Sequence, residues 1–429
     1  MRPPKRLRYR REWLTGRLLP DCHSKQPSET PMSAKRMSLL PSSGTATARE
    51  TATRAVATGA RIIDLSAGEV SIEPPSSVRE GALGAVNAGV NRYTDSIGML
   101  PLRAAVAEDL SRNTGLTWHP DEVAITAGAK QALLNASLAL LDPGDEVIII
   151  RPYWPTFAAQ VRLIDATPVF VDTFPPDYLP NVETIGAAIT PKTKAIIINS
   201  PNNPTGAVYD SSTLCSIGAA AVEYGLWIIS DECYSNFIFT GAQHQSILTA
   251  HPGVRPRTIL VNAFSKALAI TGWRVGYLAA PPEIISATKL LQSHTTSNPN
   301  VIAQHAILHH IQTADGEFAY RMHERLSKVR RLGLSILSEL TGATAARADG
   351  TFFFYLDLER LLKRSARTEH SIDRAAQLLL TEGGVCSVAG SAFGDMSGLR
   401  LSFGAPPDLV EAGLRRTVQT LNGLSAELD

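Results

Sequence analysis

Seven short apolar runs, at residues 122–126, 146–150, 168–171, 194–199, 226–231, 258–263 and 275–279, are separated by stretches with helical patterning. No other feature restricts the fold so strongly. Each run is four to six residues long and apolar at consecutive positions, so both faces of the strand it forms must be buried. Such strands belong in a sheet covered on both sides. Residues 130–141, 154–163 and 211–224 read as helices between them. Asp142-Pro143-Gly144-Asp145 closes the first, and Asp210 and Ser211 supply capping side chains to the third. The alternation predicts an α/β fold with a mostly parallel, seven-stranded sheet covered by helices. From Glu283 the pattern is helical to about Leu340, then mixed, with strands at 352–358 and 399–403. The expected organisation is a large domain at 91–290 and a smaller α+β domain. The latter combines an N-terminal arm at 32–90 with interdomain helices and a C-terminal part at 291–429. A chain of 429 residues is long for one core, which agrees with two.

Charge separates the amino terminus from the rest. Residues 1–31 hold eight basic and three acidic side chains, a net of +5, so the body carries −4 of the formal total of +1. The segment has no apolar core for a secretory signal, and Pro3, Pro4 and Trp13 suit an amphipathic transit helix poorly. It reads as a disordered leader, or as translated sequence upstream of a start at Met32 or Met37. The body has no basic field to attract nucleic acid and no apolar stretch of bilayer length, so neither nucleic acid nor membrane is expected as a partner. Cys22, Cys215, Cys233 and Cys386 form no CxxC pair and no zinc spacing; a reduced cytoplasmic setting and no metal are expected.

Four constellations fall at the ends of the apolar runs, and open α/β sheets bind ligands at the carboxyl ends of their strands. Residues 262–276 read NAFSKALAITGWRVG. Lys266 among apolar neighbours suits a lowered pKa and Schiff-base chemistry, Arg274 offers a fork for phosphate, and Ser265 adds a hydroxyl. Alone, Lys266 reads rather as a surface lysine in a loop, with Arg274 as a structural arginine. In Asp231-Glu232-Cys233-Tyr234, a carboxylate at a strand end can hold a protonated ring nitrogen. A capping aspartate and a core tyrosine is the competing reading. Residues 199–206, NSPNNPTG, build a fixed non-helical turn. Residues 126–131, TAGAKQ, put free backbone N–H groups at a helix start, an anion cradle that is neither a Walker loop nor GxGxxG.

Together, and in this order, these motifs resemble the fold-type I, pyridoxal-phosphate (PLP) dependent class I aminotransferases, from about Ala34 to the carboxyl terminus. The resemblance implies that Lys266 carries the cofactor covalently and moves the substrate proton. It implies that Asp231 pairs with the pyridine nitrogen, and that Tyr234 and Asn203 hydrogen-bond the phenolic oxygen. Trp154 would stack on the ring. Gly128, Ala129, Lys130, Ser265 and Arg274 would surround the phosphate, with Tyr93 reaching the phosphate of a neighbouring subunit in a homodimer. Arg400 would grip the substrate α-carboxylate, and Gly68 would let the chain approach it. Two positions depart from the family: Ala263 stands where a serine is common, and Gly68-Glu69-Val70 replaces Gly-Glu-Pro.

The chain is most similar to the bacterial-type aspartate aminotransferase subgroup. There Lys130 would also meet an acidic substrate side chain, with Thr45 and the partner's Ser293 lining the side-chain pocket. The implied reaction is ping-pong transfer of an amino group from an aspartate-like or broader range of L-amino acids to a 2-oxo acid such as 2-oxoglutarate or oxaloacetate. Other PLP chemistry on the same fold (β-elimination, decarboxylation, cyclisation) is an alternative, as is an aminotransferase-like regulator. Residues 1–31 are too short for the DNA-binding domain that the regulator needs.

Overall fold

The structure is a computed structural model and describes residues 33–40, 44–57, 59–344 and 347–426. The basic leader at 1–31 lies outside the described residues. The strands in chain order are β1 (Ile63–Asp64), β2 (Val123–Thr126), β3 (Glu146–Arg151), β4 (Thr167–Asp172), β5 (Thr193–Asn199), β6 (Trp227–Asp231), β7 (Thr258–Ala263) and β8 (Gly276–Ala279), then β9 (Phe353–Asp357), β10 (Val385–Cys386), β11 (Val388–Ala389) and β12 (Gly398–Ser402). Strands β2 to β8 form one seven-stranded sheet in the order β2-β8-β7-β6-β5-β3-β4. These are the seven expected apolar runs, each within one residue at either end.

The consecutive apolar residues are explained by the two faces of this sheet. Ile148, Ile150, Ile196, Ile198 and Ile228 enter one core cluster, while Val147, Ile149, Ala195, Ile197 and Ile229 enter another. Alternate side chains thus point to opposite helical layers. Full burial of each is worth about 1.5–3 kcal/mol, which makes this sheet the main anchor of the fold.

β4, β3, β5, β6 and β7 run parallel; β8 is antiparallel to both β7 and β2. β8 therefore runs against all the others, which makes the sheet mixed. The helices lie at Ala129–Leu140, Thr156–Leu163 and Ser211–Glu223. Asp210 caps the third by accepting from the Thr213 N–H at 2.8 Å, whereas Ser211 is already its first helical residue and supplies no cap bond.

The remaining strands form two small sheets. β11, β12 and β9 are antiparallel, and β1 pairs in parallel with β10, Ile63 opposite Val385. A third apolar cluster joins Phe352, Phe353, Phe354 and Leu401 to helices Glu317–Leu337 and Pro407–Ala426. Among the described residues no helix is long and apolar enough to cross a membrane.

Candidate active site

Strand register explains why distant residues converge. Asn199 at the end of β5 lies opposite Asp231 at the end of β6, and Asp231 lies opposite Val261 near the end of β7. The segments leaving these three ends supply Asn203, Tyr234, Ser265 and Lys266. β8 starts where β2 and β7 finish, with Gly276 opposite both Thr126 and Ala263. Its reversal brings Arg274, two residues before Gly276, to the same edge of the sheet as the start of helix Ala129–Leu140. β12 contributes Arg400, and the segment after β1 contributes Gly68. Together they line a cavity of about 490 Å³.

Burial perturbs Asp231, Lys266, Tyr234, Lys130 and Arg400. Asp231 is 4% exposed, and desolvation raises its carboxyl to about 6. The Cys233 thiol and backbone N–H pull the other way, the N–H donating to Asp231 Oδ1 at 3.1 Å. Burial lowers the Lys266 ammonium to about 8, and its Nζ donates to the Gly68 carbonyl at 2.5 Å. Burial pushes the Tyr234 phenol upward, so it stays protonated and able to donate. Lys130 is lowered by burial and by the nearby Arg274 charge, and its Nζ sits 5.1 Å from the centre of the Trp154 ring.

Arg400 is the most unusual of these groups. It is 2% exposed, and burial lowers it to about 10, so it remains charged at neutral pH. Its Nη1 donates to Asn203 Oδ1 and its Nη2 to the Ser66 carbonyl, both at 2.8 Å. Phe353 and Phe393 flank it, their ring centres 4.2 and 5.0 Å from its Cζ. Its Nε has no partner, and no ion pair neutralises it among the described residues.

The expected residues divide clearly. Lys266, Asp231, Tyr234, Ala129, Lys130, Trp154, Asn203, Ser265, Arg274, Arg400, Gly68 and Thr45 all line the cavity. Gly128 stands behind it as the residue before the helix. At φ 81° and ψ 167° it is in a region that only glycine adopts freely, and a Cβ there would lie 2.6 Å from Arg274 Nη2. Tyr93 is 89% exposed, and Ser293 donates to the Leu290 carbonyl at 2.7 Å; neither enters the cavity of its own chain. Asn203 commits its oxygen to Arg400, which leaves only its amide nitrogen to donate elsewhere.

Sequence reasoning gave no role to Asn199 or Cys233. Asn199 Nδ2 donates to the Asp231 carbonyl at 3.0 Å while its Oδ1 accepts from the Asn203 N–H at 2.9 Å. It braces the two segments together. Both residues lie inside the quoted motifs; the Cys233 bond to Asp231 is local, whereas the Asn199 bond to the Asp231 carbonyl crosses from one strand to the next.

Similarity to known proteins agrees with this geometry. The family model described as aminotransferase class I and II matches residues 60–416. The chain belongs to this family. An aspartate aminotransferase of Geobacillus stearothermophilus is 36% identical, over 89% of this chain and 97% of that protein. An aspartate/prephenate aminotransferase of Thermus thermophilus is 38% identical, over 85% and 92%. A solved structure, the Thermus thermophilus aspartate aminotransferase with maleate, superposes with a TM-score of 0.83 at 35% identity, over 90% of this chain and 99% of that one. The protein is a PLP-dependent aminotransferase, moving an amino group from an amino acid to a 2-oxo acid.

The residues present fit that cofactor. Its phosphate is matched by the N–H groups opening helix Ala129–Leu140 together with Ser265 and Arg274, which packs over Gly128. Its pyridine nitrogen is matched by a buried carboxylate that desolvation raises, so that a protonated ring nitrogen beside it would favour its charged form. Its aldehyde is matched by an amine that burial has made easier to deprotonate.

Proposed function

We propose that the protein accepts dicarboxylic, aspartate-like L-amino acids as donors, that 2-oxoglutarate or oxaloacetate takes the nitrogen, and that it works as a homodimer. Two cations in one cavity carry the reading. Arg400, a desolvated guanidinium with no acidic partner among the described residues, in a cavity where Asp231 is the one lining carboxylate among them, is suited to the α-carboxylate that every donor has. Lys130 is a second cation in the same cavity, available to a second carboxylate, and Thr45 adds a hydroxyl to the cavity wall. The aspartate and aspartate/prephenate names of the two relatives, and maleate (a dicarboxylate) in the solved neighbour, support this choice.

PLP, when bound, supplies the electron sink that lets the substrate Cα–H bond ionise. Lys266 Nζ would hold the cofactor covalently and, as a free amine, would be the base that takes the substrate Cα proton. Asp231 would hold the proton on the ring nitrogen. Tyr234 Oη and Asn203 Nδ2 would donate to the phenolic oxygen, and Trp154 would cover the ring. Ser265, Arg274 and the backbone at Gly128, Ala129 and Lys130 would hold the phosphate. Arg400 orients the α-carboxylate, and Gly68 leaves room for it. Tyr93 of one protomer reaches the phosphate site of its partner, and Ser293 the partner's side-chain pocket. Support for a dimer comes from exposed Tyr93, Leu100, Leu138 and Leu290. The Tyr93 loop is tied to the helix carrying Leu290 by the Lys289–Asp95 ion pair at 2.6 Å.

The deciding experiment is a donor screen with 2-oxoglutarate as acceptor. Aspartate and glutamate should give the highest kcat/KM. Lys130→Ala should lower kcat/KM for aspartate by about tenfold or more, and for phenylalanine by less, as expected for one lost charge-assisted contact. Equal losses for both donors would reject the assignment of Lys130. In Lys266→Ala, borohydride should trap no cofactor on the chain while the thermal melt stays cooperative.

A further inference from the structure

A second cleft, about 1010 Å³ in volume, shares no residue with the catalytic cavity. It forms where the end of helix Gly44–Ala57, the segment leading into β1, the end of helix Ile372–Thr381 and helix Pro407–Ala426 meet. Arg54, Arg61, Arg367 and Arg416 line it, against Glu382 as its one carboxylate among the described residues. Arg367 is held by Glu382 at 2.5 Å, and Arg54 has Glu50 at 3.5 Å on its own helix. Arg61 and Arg416 have no ion-pair partner among the described residues. Arg416 reaches over Gly384: a Cβ there would lie 3.1 Å from its Nη1 and 3.0 Å from the Arg61 carbonyl oxygen. Thr51, Thr381 and Thr420 add hydroxyls to the same walls.

Local electrostatics do not account for this grouping. Two helices end at the cleft, and their dipoles offset about one positive charge in all; Arg54 is already paired with Glu50, so that offset falls on Arg61 and Arg416. The two together exceed it, on a body whose net charge beyond residue 31 is −4. Arg61 and Arg416 are exposed, so water and salt weaken their mutual repulsion, and an anion bridging them removes what remains. Guanidinium forks with hydroxyls suit phosphoryl oxygens, and the cleft is far larger than a single phosphate needs.

We infer that this cleft binds a phosphorylated small molecule carrying several negative charges, at a site separate from the catalytic cavity. The test uses holoenzyme saturated with PLP, so that the cofactor's own phosphate site is filled, with inorganic pyrophosphate as probe. Calorimetry should show saturable, submillimolar binding, and the melting temperature should rise with pyrophosphate concentration. The Arg61→Ala/Arg416→Ala double variant should bind at least about tenfold more weakly while keeping wild-type kcat and KM in the absence of pyrophosphate, since neither residue touches the catalytic cavity. An unchanged isotherm in the double variant would overturn the proposal. So would stabilisation that sodium chloride reproduces at equal ionic strength, or citrate binding as tightly as pyrophosphate.

Discussion

Asp231 is held in a state that the cofactor-free fold resists. Its carboxyl rises from 3.8 to about 6 on burial, so the folded chain binds this proton more tightly than the unfolded chain does. The cost is absent in acid, grows as pH rises from about 4 to 6, and is complete at neutral pH, where it is roughly 3 kcal/mol. Cofactor-free Asp231→Asn should therefore melt above the wild type at pH 7, with the gap closing toward pH 4.5. The same variant should bind PLP much more weakly, because the amide cannot neutralise a ring cation. A variant less stable than wild type at pH 7 would contradict the burial argument. Gly68 poses a different question. A Cβ there would meet only Phe353, at 3.9 Å, so the protein itself has room for alanine. Gly68→Ala should leave the unfolding midpoint nearly unchanged and raise KM for the amino donor, a split that steady-state kinetics and a denaturant melt will show. If stability falls and KM does not, the glycine serves the fold alone.

At the scale of elements, the site depends on how β2, β8 and helix Ala129–Leu140 meet. Gly276 at the start of β8 is packed so closely that a Cβ would lie 2.7 Å from the Ala129 nitrogen. Gly128 has the backbone shape and the Arg274 contact already described. Gly128→Ala should cost about 1–3 kcal/mol of stability and should also release cofactor on dialysis, because the strain falls at the phosphate end. The strands themselves were legible in the residues: burial on both faces demands an unbroken apolar run, and the turn at 142–145 marks where one element stops. The direction of β8 was not. An apolar run has the same composition whichever way it is threaded, and only pairing with β2 and β7 sets its sense. Ser211 supplies no cap for a related reason: Asp210 and Ser211 are both good caps, and only the helix start selects between them.

For the whole molecule, the prediction concerns sharing of sites between protomers. Lys266→Ala and Tyr93→Ala chains, co-expressed and purified as a mixture, should be more active than either parent. A mixed dimer then holds one site with both lesions and one with neither. Activity no greater than the average of the two parents would mean that Tyr93 serves its own chain or none.

By itself the sequence determined the chemistry available: a lysine, an aspartate, a tyrosine and arginines at strand ends, in an order that already resembles one family. It determined the sheet as well, because apolar runs this short, bounded by turns and helical stretches, are buried on both faces as strands. Only the tertiary structure decided which of these groups share a cavity. Arg400 reaches Asn203 across 197 positions of chain, and Lys266 reaches Gly68 across 198. Contacts that remote arise from strand order and domain packing. Those are set by the summed burial of many side chains, to which the catalytic residues themselves contribute almost nothing favourable.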